Sequence, residues 1–536
     1  PGAERAGGHP LMSARGFVTV DGVVGRTPHS SALNAARRSR ELAALGDDPH
    51  IDVLVIGGGI TGVGLALDAA SRGLRTVLVE RHDLAFGTSR WSSKLVHGGL
   101  RYLASGQIGI AHESASERHI LMTRTAPHLT RSVAQVMPLY APGHMTRGAY
   151  IGLGYELGDG LRRAVGTSSS VLHAPDFIGA DETARLAPAV RNEQLRGGLR
   201  GWDGQLIDDA RLVVAVARTA AGYGASILTR VEASEVHGDG ALLHDRLSGE
   251  SVRVRARAVV GAAGVWGGEL DDDVHLRPSR GTHLVVATER LGGSDVSLTV
   301  PIAGSSSRFV FTVPSVHGRS YIGLTDVPAD GPLPDVPEAT EPEIAMLLDT
   351  VNQVLADQIG RDEVLATFAG LRPLLVPKDA GPDDPTADVS RRHAIIDSHT
   401  GVLNVVGGKL TTYRRMAEDG IDAAIARRGL RIDGQDVPPS RTRDIPLVGA
   451  WPRERLSSVD APARLVRRYG AEAPFVAAAR GGLDGPRGVT AQEFTWGVDV
   501  EGALDADDLL DRRTRLGLVA ADREAATAAA EAAFER

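Results

Sequence analysis

The sequence predicts an α/β protein of the Rossmann type, with a second, mostly antiparallel sheet and a helical C-terminal domain. Three observations predict it. Residues 51–80 read as strand, glycine turn, helix and strand; residues 280–325 carry short apolar strands; beyond Pro438 the strand signal gives way to helical stretches.

The first unit, IDVLVIGGGITGVGLALDAASRGLRTVLVE, opens on the apolar run Val53-Leu54-Val55-Ile56, the mark of a buried strand. Gly57, Gly58, Gly59 and Gly62 follow in G-x-G-x-x-G spacing. Gly57 allows the tight turn, Gly59 lets backbone approach a pyrophosphate, and Gly62 lets the next helix pack against the strand. That helix, about 62–72, aims its free N–H groups and positive dipole end at the phosphates; Gly73 ends it. The second strand, Thr76-Val77-Leu78-Val79, ends in Glu80, a carboxylate that accepts from ribose hydroxyls and repels a 2′-phosphate. In a chain with 64 glycines the spacing alone specifies little. Its register with strand, helix and terminal acid specifies a site for an adenine dinucleotide without a 2′-phosphate.

A chain of 536 residues has room for about two to four domains. Apolar residues make up 42% and charged residues 24%, as in an ordinary soluble globular protein. The net charge of −8 offers no electrostatic footprint for nucleic acid. Cysteine is absent, which excludes disulfides, thiol catalysis, thiolate metal sites and cysteinyl-flavin links; no metal site is expected. No secretory signal is evident, and no uncharged apolar run reaches the ~18 residues of a membrane span. A cytoplasmic or peripherally attached protein is expected.

Residues 1–48, broken by Gly7-Gly8-His9-Pro10 and Thr27-Pro28-His29, are expected to be a poorly ordered leader with one helix from Ser31 to Ala44. A helix is predicted from about Ile110 to Thr125, ended by Pro127, and a short strand over Met137 to Pro142. Between His144 and Val165, Tyr150, Leu153, Leu157 and Leu161 recur at helical spacing. Two readings stand: a helix packed on its own core, or an interfacial helix with Arg147, Arg162 and Arg163 at lipid headgroups. Asp208-Asp209-Ala210-Arg211-Leu212 opens a helix with acids at its first turn. A strand at Ser226-Ile227-Leu228 and a hairpin around His237 to Gly240 follow. The buried strand from Arg257 ends in Ala262-Ala263-Gly264, small residues where backbone passes close to a dinucleotide. Strands at His283 to Val286, Phe309 to Phe311 and Tyr321 to Gly323 form the antiparallel sheet, placed to be a substrate wall. Val327 to Glu343 is a surface excursion, and Pro342 to Ile359 a helix. Val402 to Val406 runs into Gly407-Gly408-Lys409-Leu410-Thr411-Thr412-Tyr413, a second strand–glycine–helix turn able to offer N–H groups to a negative partner. The expected division is a leader at 1–48, a cofactor domain at 49–440 interleaved with a substrate domain (about 130–200 and 271–365), and a helical domain at 441–536.

Several stretches carry a family resemblance: Ser92-Ser93-Lys94-Leu95-Val96-His97-Gly98-Gly99-Leu100-Arg101-Tyr102, Asp208 to Leu212, Arg280-Gly281-Thr282-His283, Gly370-Leu371-Arg372-Pro373-Leu374, Gly407 to Arg414 and Arg512-Arg513-Thr514-Arg515-Leu516. Over roughly 50–530 the chain resembles the FAD-dependent, quinone-linked glycerol-3-phosphate dehydrogenases. The resemblance implies an FAD domain of the glutathione-reductase type, an inserted sheet-based substrate domain, and a C-terminal helical domain. It also implies oxidation of sn-glycerol 3-phosphate to dihydroxyacetone phosphate, with electrons passed to membrane quinone at the inner face of the cell membrane, and it leaves room for a homodimer. By similarity, Gly57, Gly58, Gly59, Gly62 and Glu80 hold the ADP half of FAD. Thr88, Ser89, Ser93, Lys94, Leu95, His97 and Gly98 lie along the pyrophosphate and flavin, Ala263 and Gly264 close over the cofactor, and Gly408, Lys409 and Leu410 sit beside the flavin ring. Arg101, Tyr102, His283, Arg372, Lys409 and Thr412 form the substrate pocket. Arg90-Trp91, Ala263 and Leu324 depart from the family pattern beside these motifs.

The residue inventory suits this chemistry. Oxidising a secondary alcohol needs a hydride acceptor and a base for the hydroxyl proton, and donors where negative charge develops. Lys409 and the amides after Gly407 are such donors. His283 is the candidate base, since imidazole titrates near neutrality. Arg101 and Arg372 offer planar forks for a phosphate dianion. The alternatives are an oxidase that gives electrons to oxygen, an amine or amino-acid oxidase of the same superfamily, and a catalytically silent flavoprotein acting as a membrane sensor. The last would have lost a catalytic group, whereas Arg101, His283, Arg372 and Lys409 are all present.

Overall fold

The computed structural model describes residues 30–99, 107–140, 142–305, 308–329, 331–376 and 392–535. His50–Ile56 is the central strand of the first sheet. Thr76–Glu80 and Ser251–Gly261 flank it in parallel, and Ser226–Thr229 and Leu403–Gly407 extend the parallel set on either side. His393–Asp397 closes one edge antiparallel. Val53 and Val55 pack into one hydrophobic core while Leu54 and Ile56 pack into another, which is why this strand reads as an unbroken apolar run. On one face the helix Ile60–Ser71 lies between Asp209–Gly222 and Tyr413–Arg428. On the other, the hairpin Val231–His237 and Gly240–Asp245 joins the sheet through Ser251–Gly261.

The helix Ala35–Asp47 also belongs to this domain, so the expected leader does not extend over residues 30–48. Asn34 caps the helix by accepting the Arg37 N–H at 2.9 Å. Arg38 is buried, donating to the Thr229 carbonyl at 2.7 Å and pairing with Asp245. A buried ion pair to a distant hairpin anchors this polar helix, and such an anchor leaves little apolar periodicity to read.

Among the described residues the second sheet has ten strands. From one edge its main path runs Val327–Pro328, Ser279–Ala287, Arg319–Gly323, Phe309–Pro314, Ser297–Pro301, Thr130–Leu139, Gly197–Leu206 and Leu95–Val96. Pairing is antiparallel except where Ser297–Pro301 meets Thr130–Leu139. Ala366–Arg372 adds to Ser279–Ala287, and Asp176–Ile178 to Gly197–Leu206. Leu284, Val286, Val310 and Ile322 face a core shared with the helix Glu341–Asn352. Their neighbours His283, Phe311 and Thr299 line a cavity on the opposite face. That helix starts at a Thr340–Glu343 capping box and ends before the predicted Ile359. The strand predicted over Met137 to Pro142 is instead Thr130–Leu139; its first residues are polar and find partners outside the cavity, Thr130 Oγ1 on the Ala126 carbonyl at 3.2 Å and Arg131 on Gln205 Oε1 at 3.0 Å.

The C-terminal domain, built on the helices Ala463–Tyr469, Ala491–Asp499 and Ala520–Ala532, docks on the first domain through buried ion pairs made by the segments between those helices. Arg211 binds Glu501 with both guanidinium nitrogens at 2.9 and 2.6 Å, and Arg218 binds Glu472 likewise at 2.7 and 2.8 Å. Asp83 takes Arg512 Nε at 2.6 Å and Arg513 at 2.7 and 2.9 Å. These two arginines hold the Asp83 carboxyl well below the usual carboxylate range despite its burial.

Candidate active site

The glycine turn has the shape a dinucleotide needs. Gly57 sits at φ +115°, and a Cβ there would stand 2.9 Å from the Ala262 carbonyl carbon. A Cβ on Gly62 would stand 3.0 Å from the Gly57 carbonyl carbon. The loop, the helix and the third strand therefore meet with no room for side chains. Ile60 N–H donates to Ser89 Oγ at 2.9 Å, tying the helix start to the neighbouring loop. The Glu80 carboxylate accepts the Gly58 N–H at 2.6 Å and the His82 N–H at 2.8 Å, one per oxygen. Burial pushes its carboxyl up, and each oxygen keeps a lone pair for a ribose hydroxyl.

One cavity of about 1110 Å³ runs from Glu80 and Val231–Ala233, past Gly57, Gly59, Thr88, Ser89, Ala263 and Gly264, to Leu95, His97, Lys409, Leu410, His283 and Arg372. A long channel with an acid at one end, glycines along its middle and cations at the other fits FAD. At the far end Gly407 and Gly408 turn with φ +76° and +72°. Lys409 then reaches Ser114 Oγ at 3.0 Å before the helix Tyr413–Arg428 begins.

His283 is buried beside this end. Its Nε2 lies 2.8 Å from Ser93 Oγ, and its ring stacks on Phe368 with centroids 4.6 Å apart. Burial first, then the charges of Lys94 and Arg372, push its pKa down to about 3, so the ring is neutral at physiological pH. Gly323, directly across the strand pair, leaves the space the imidazole fills. Arg372 donates to Ser279 Oγ at 3.2 Å, to Asp326 Oδ1 at 3.2 Å and to the Thr325 carbonyl at 3.1 Å. Gly281 accommodates its guanidinium, whose carbon would lie 2.8 Å from a Cβ there.

Some predicted site residues sit elsewhere. Lys94 does not line the cavity: its ammonium is buried on Asp209 at 3.0 Å and on the Arg90 and Ser92 carbonyls. Gly98 packs beneath the Arg118 guanidinium, whose partner is Asp203 at 2.5 Å. Thr412 is buried with its hydroxyl on the Lys409 carbonyl at 3.3 Å. Gly58 and Gly62 act through Glu80 and Gly57. Arg101 and Tyr102 lie outside the described residues, as do the side chains of Arg147, Tyr150 and Leu153. Of the arginines assigned to headgroups in the interfacial reading, Arg162 is buried on Asp159 at 2.5 Å, and Arg163 is exposed.

His283, Phe311 and Thr299 line the cavity from the antiparallel sheet, and the order of their strands is what sequence reasoning did not give. A row of paired residues crosses the sheet from Phe368 through His283, Gly323 and Phe311 to Thr299. Beyond it, Gln135 and Tyr155 continue the lining, and the Tyr155 ring rests on Gly201, where a Cβ would meet its Cε2 at 2.9 Å. Asp203 faces the cavity from the strand Gly197–Leu206. Period-two spacing was the available signal for this row, but it does not say which strands are neighbours.

The family described as FAD dependent oxidoreductase matches residues 52–414, and the C-terminal domain of alpha-glycerophosphate oxidase matches residues 440–535. Glycerol-3-phosphate dehydrogenase 1 of Mycobacterium tuberculosis is 53% identical over 522 residues, covering 95% of this chain and 99% of that protein. Glycerol-3-phosphate dehydrogenase 2 of the same organism is 37% identical, covering 91% and 85%. The solved glycerol-3-phosphate dehydrogenase of Bacillus halodurans, complexed with FAD, superposes with a TM-score of 0.68 at 26% identity, covering 92% of each chain. The L-alpha-glycerophosphate oxidase of Mycoplasma pneumoniae, with FAD bound, shares the fold with a TM-score of 0.54 at 18% identity. FAD is the cofactor that the glycine cradle, Glu80 and the long cavity accept. With likeness running through both domains and nearly the whole chain, the protein belongs to the FAD-dependent glycerol-3-phosphate dehydrogenase family.

Proposed function

We propose that the protein oxidises sn-glycerol 3-phosphate to dihydroxyacetone phosphate and delivers the electrons to a membrane quinone. The observation that supports this reading is that His283, Arg372 and Lys409 all line the one cavity that fits FAD. Bound FAD supplies the hydride acceptor. Arg372, held by Asp326 and the Thr325 carbonyl, presents a fixed cation to the substrate phosphate, with Arg101 as the second cation. The neutral His283 accepts the hydroxyl proton on the side where Ser93 Oγ holds Nε2. An imidazole near pKa 3 is a weak base, but a phosphate dianion beside Arg372 offsets one of the charges that depress it. Lys409 and the amides after Gly407 stabilise negative charge that develops across from the base.

Among the described residues no helix is long and apolar enough to cross a membrane. A quinone in the bilayer is therefore met at the protein surface. The helix Pro142–Ala164 supports this placement, because Leu157 on it is 55% exposed and also lines the cavity.

Anaerobic addition of glycerol 3-phosphate to the purified protein tests the reading. Bleaching of the flavin's visible band supports it, and an unchanged spectrum refutes it. Reoxidation of the reduced protein separates acceptors: faster reaction with a short-chain quinone than with air supports the dehydrogenase, and the reverse assigns an oxidase.

A further inference from the structure

Asp209 lies outside the cavity, yet one of its oxygens organises the segment that reaches it. Oδ2 accepts the Ser92 N–H at 2.9 Å, the Ser92 hydroxyl at 2.7 Å and the Lys94 ammonium at 3.0 Å. Oδ1 accepts the Ala210 N–H at 3.0 Å. The carboxylate is fully buried and opens the helix Asp209–Gly222, where the helix dipole favours negative charge. Lys94 places its other donors on the Arg90 and Ser92 carbonyls, at 3.1 and 3.0 Å, and its backbone is held at φ +59°. A non-glycine residue keeps that conformation only where its surroundings impose it.

The residues on both sides of Ser93 are thus tied to a single carboxylate oxygen. Between them, the Ser93 side chain lines the cavity, and its hydroxyl meets His283 Nε2. The Lys94 ammonium also lies 4.8 Å from the centre of the Phe368 ring, the ring on which His283 stacks. The C-terminal domain closes the same cluster: Arg515 donates to the Arg90 carbonyl at 2.9 Å and pairs with Asp208 at 3.3 Å.

We propose that Asp209 is a positioning residue for the oxidation step: through Ser92 and Lys94 it sets Ser93, and through Ser93 it holds the His283 ring where the substrate hydroxyl arrives. The inference rests on His283 as the proton acceptor.

The test is a double-mutant cycle on the full-length flavoprotein, with glycerol 3-phosphate as substrate and a soluble dye as acceptor. Asp209→Asn should lower kcat by roughly 10-fold, the worth of about one hydrogen bond, with KM and FAD content close to wild type. In a Ser93→Ala background the same substitution should cost less than about twofold, because the group it acts through is gone. Losses that multiply, or a kcat unchanged by Asp209→Asn, overturn the proposal. Should Asp209→Asn fail to fold around its unpaired lysine, Ser92→Ala removes the 2.7 Å bond to Asp209 and the 3.0 Å bond that the same hydroxyl accepts from the Lys94 N–H, and leaves the Asp209–Lys94 ion pair in place. Its loss, roughly 10-fold for a hydrogen bond to a carboxylate, must likewise vanish beside Ser93→Ala, and persistence refutes the proposal. Failure of wild-type protein to bleach refutes the functional reading; an active wild type whose losses multiply refutes only the role of Asp209.

Discussion

Gly323→Ala tests the placement of His283 most directly. Gly323 faces His283 across the strand pair. A methyl carbon built there would lie 2.8 Å from both Cγ and Nε2 of the imidazole, and closer still to Cδ2. Carbon atoms in contact prefer about 3.5–4.0 Å, so the ring must retreat by roughly 1 Å. That motion opens the 2.8 Å bond to Ser93 and slides the ring along Phe368. A misplacement of about 1 Å costs on the order of 10²-fold in rate. The glycine turn and the Glu80 end of the cavity are remote from the change, so FAD content should hold. Alanine in a strand is otherwise more favourable than glycine by about 0.5–1 kcal/mol, so global stability should not collapse. The assay is anaerobic single-turnover reduction by glycerol 3-phosphate, with FAD measured after denaturation. A variant that keeps its FAD and is reduced within roughly threefold of the wild-type rate refutes the argument that the His283 position governs the step.

Arg372→Leu should reduce kcat/KM for glycerol 3-phosphate by roughly 10–150-fold, the worth of a charge-assisted hydrogen bond, while sparing any slow turnover of unphosphorylated glycerol; equal losses on both substrates would move Arg372 from phosphate recognition to the chemical step. His128, buried at the domain junction against Gly449 and Gly470, has its pKa pushed down to about 3 by burial and by the Arg211 charge. The unfolded chain takes up a proton below about pH 6.5 that the folded protein refuses, so this contribution is intact above that pH and stability falls by about 2 kcal/mol between pH 6.5 and 5. Urea unfolding across that window should show a shallower loss in His128→Gln; an unchanged slope would contradict the assignment. Leu157→Glu should weaken liposome binding and quinone reduction and leave dye reduction intact, whereas equal loss in both assays would give Leu157 a folding role.

What could be read from the sequence was what short-range geometry enforces. The strand Val53–Ile56, the glycines from Gly57 to Gly62 and the acid Glu80 lie within one β-α-β unit, and each constrains its neighbours in the chain. The same holds for Gly407–Gly408 before Lys409, and for the alternation that put His283 and Leu284 on opposite faces of a strand. Composition could identify the helical C-terminal domain, since alanine-rich helices declare themselves locally. Long-range pairing was hidden. Nothing near Lys94 in the chain announces Asp209, so a lysine inside a cofactor motif was read as a cofactor ligand when it is a buried counter-ion. Arg38 finds Asp245, Asp83 finds Arg512 and Arg513, and Arg372 finds Asp326 across 207, 429 and 46 residues of chain. Charged side chains bury only when such partners compensate their desolvation, and the partner is chosen by topology rather than by neighbours in the chain. The sequence by itself therefore determined the cofactor unit and the kinds of groups available for chemistry. Only the tertiary structure decided which of those groups face the cavity and which are spent holding it together.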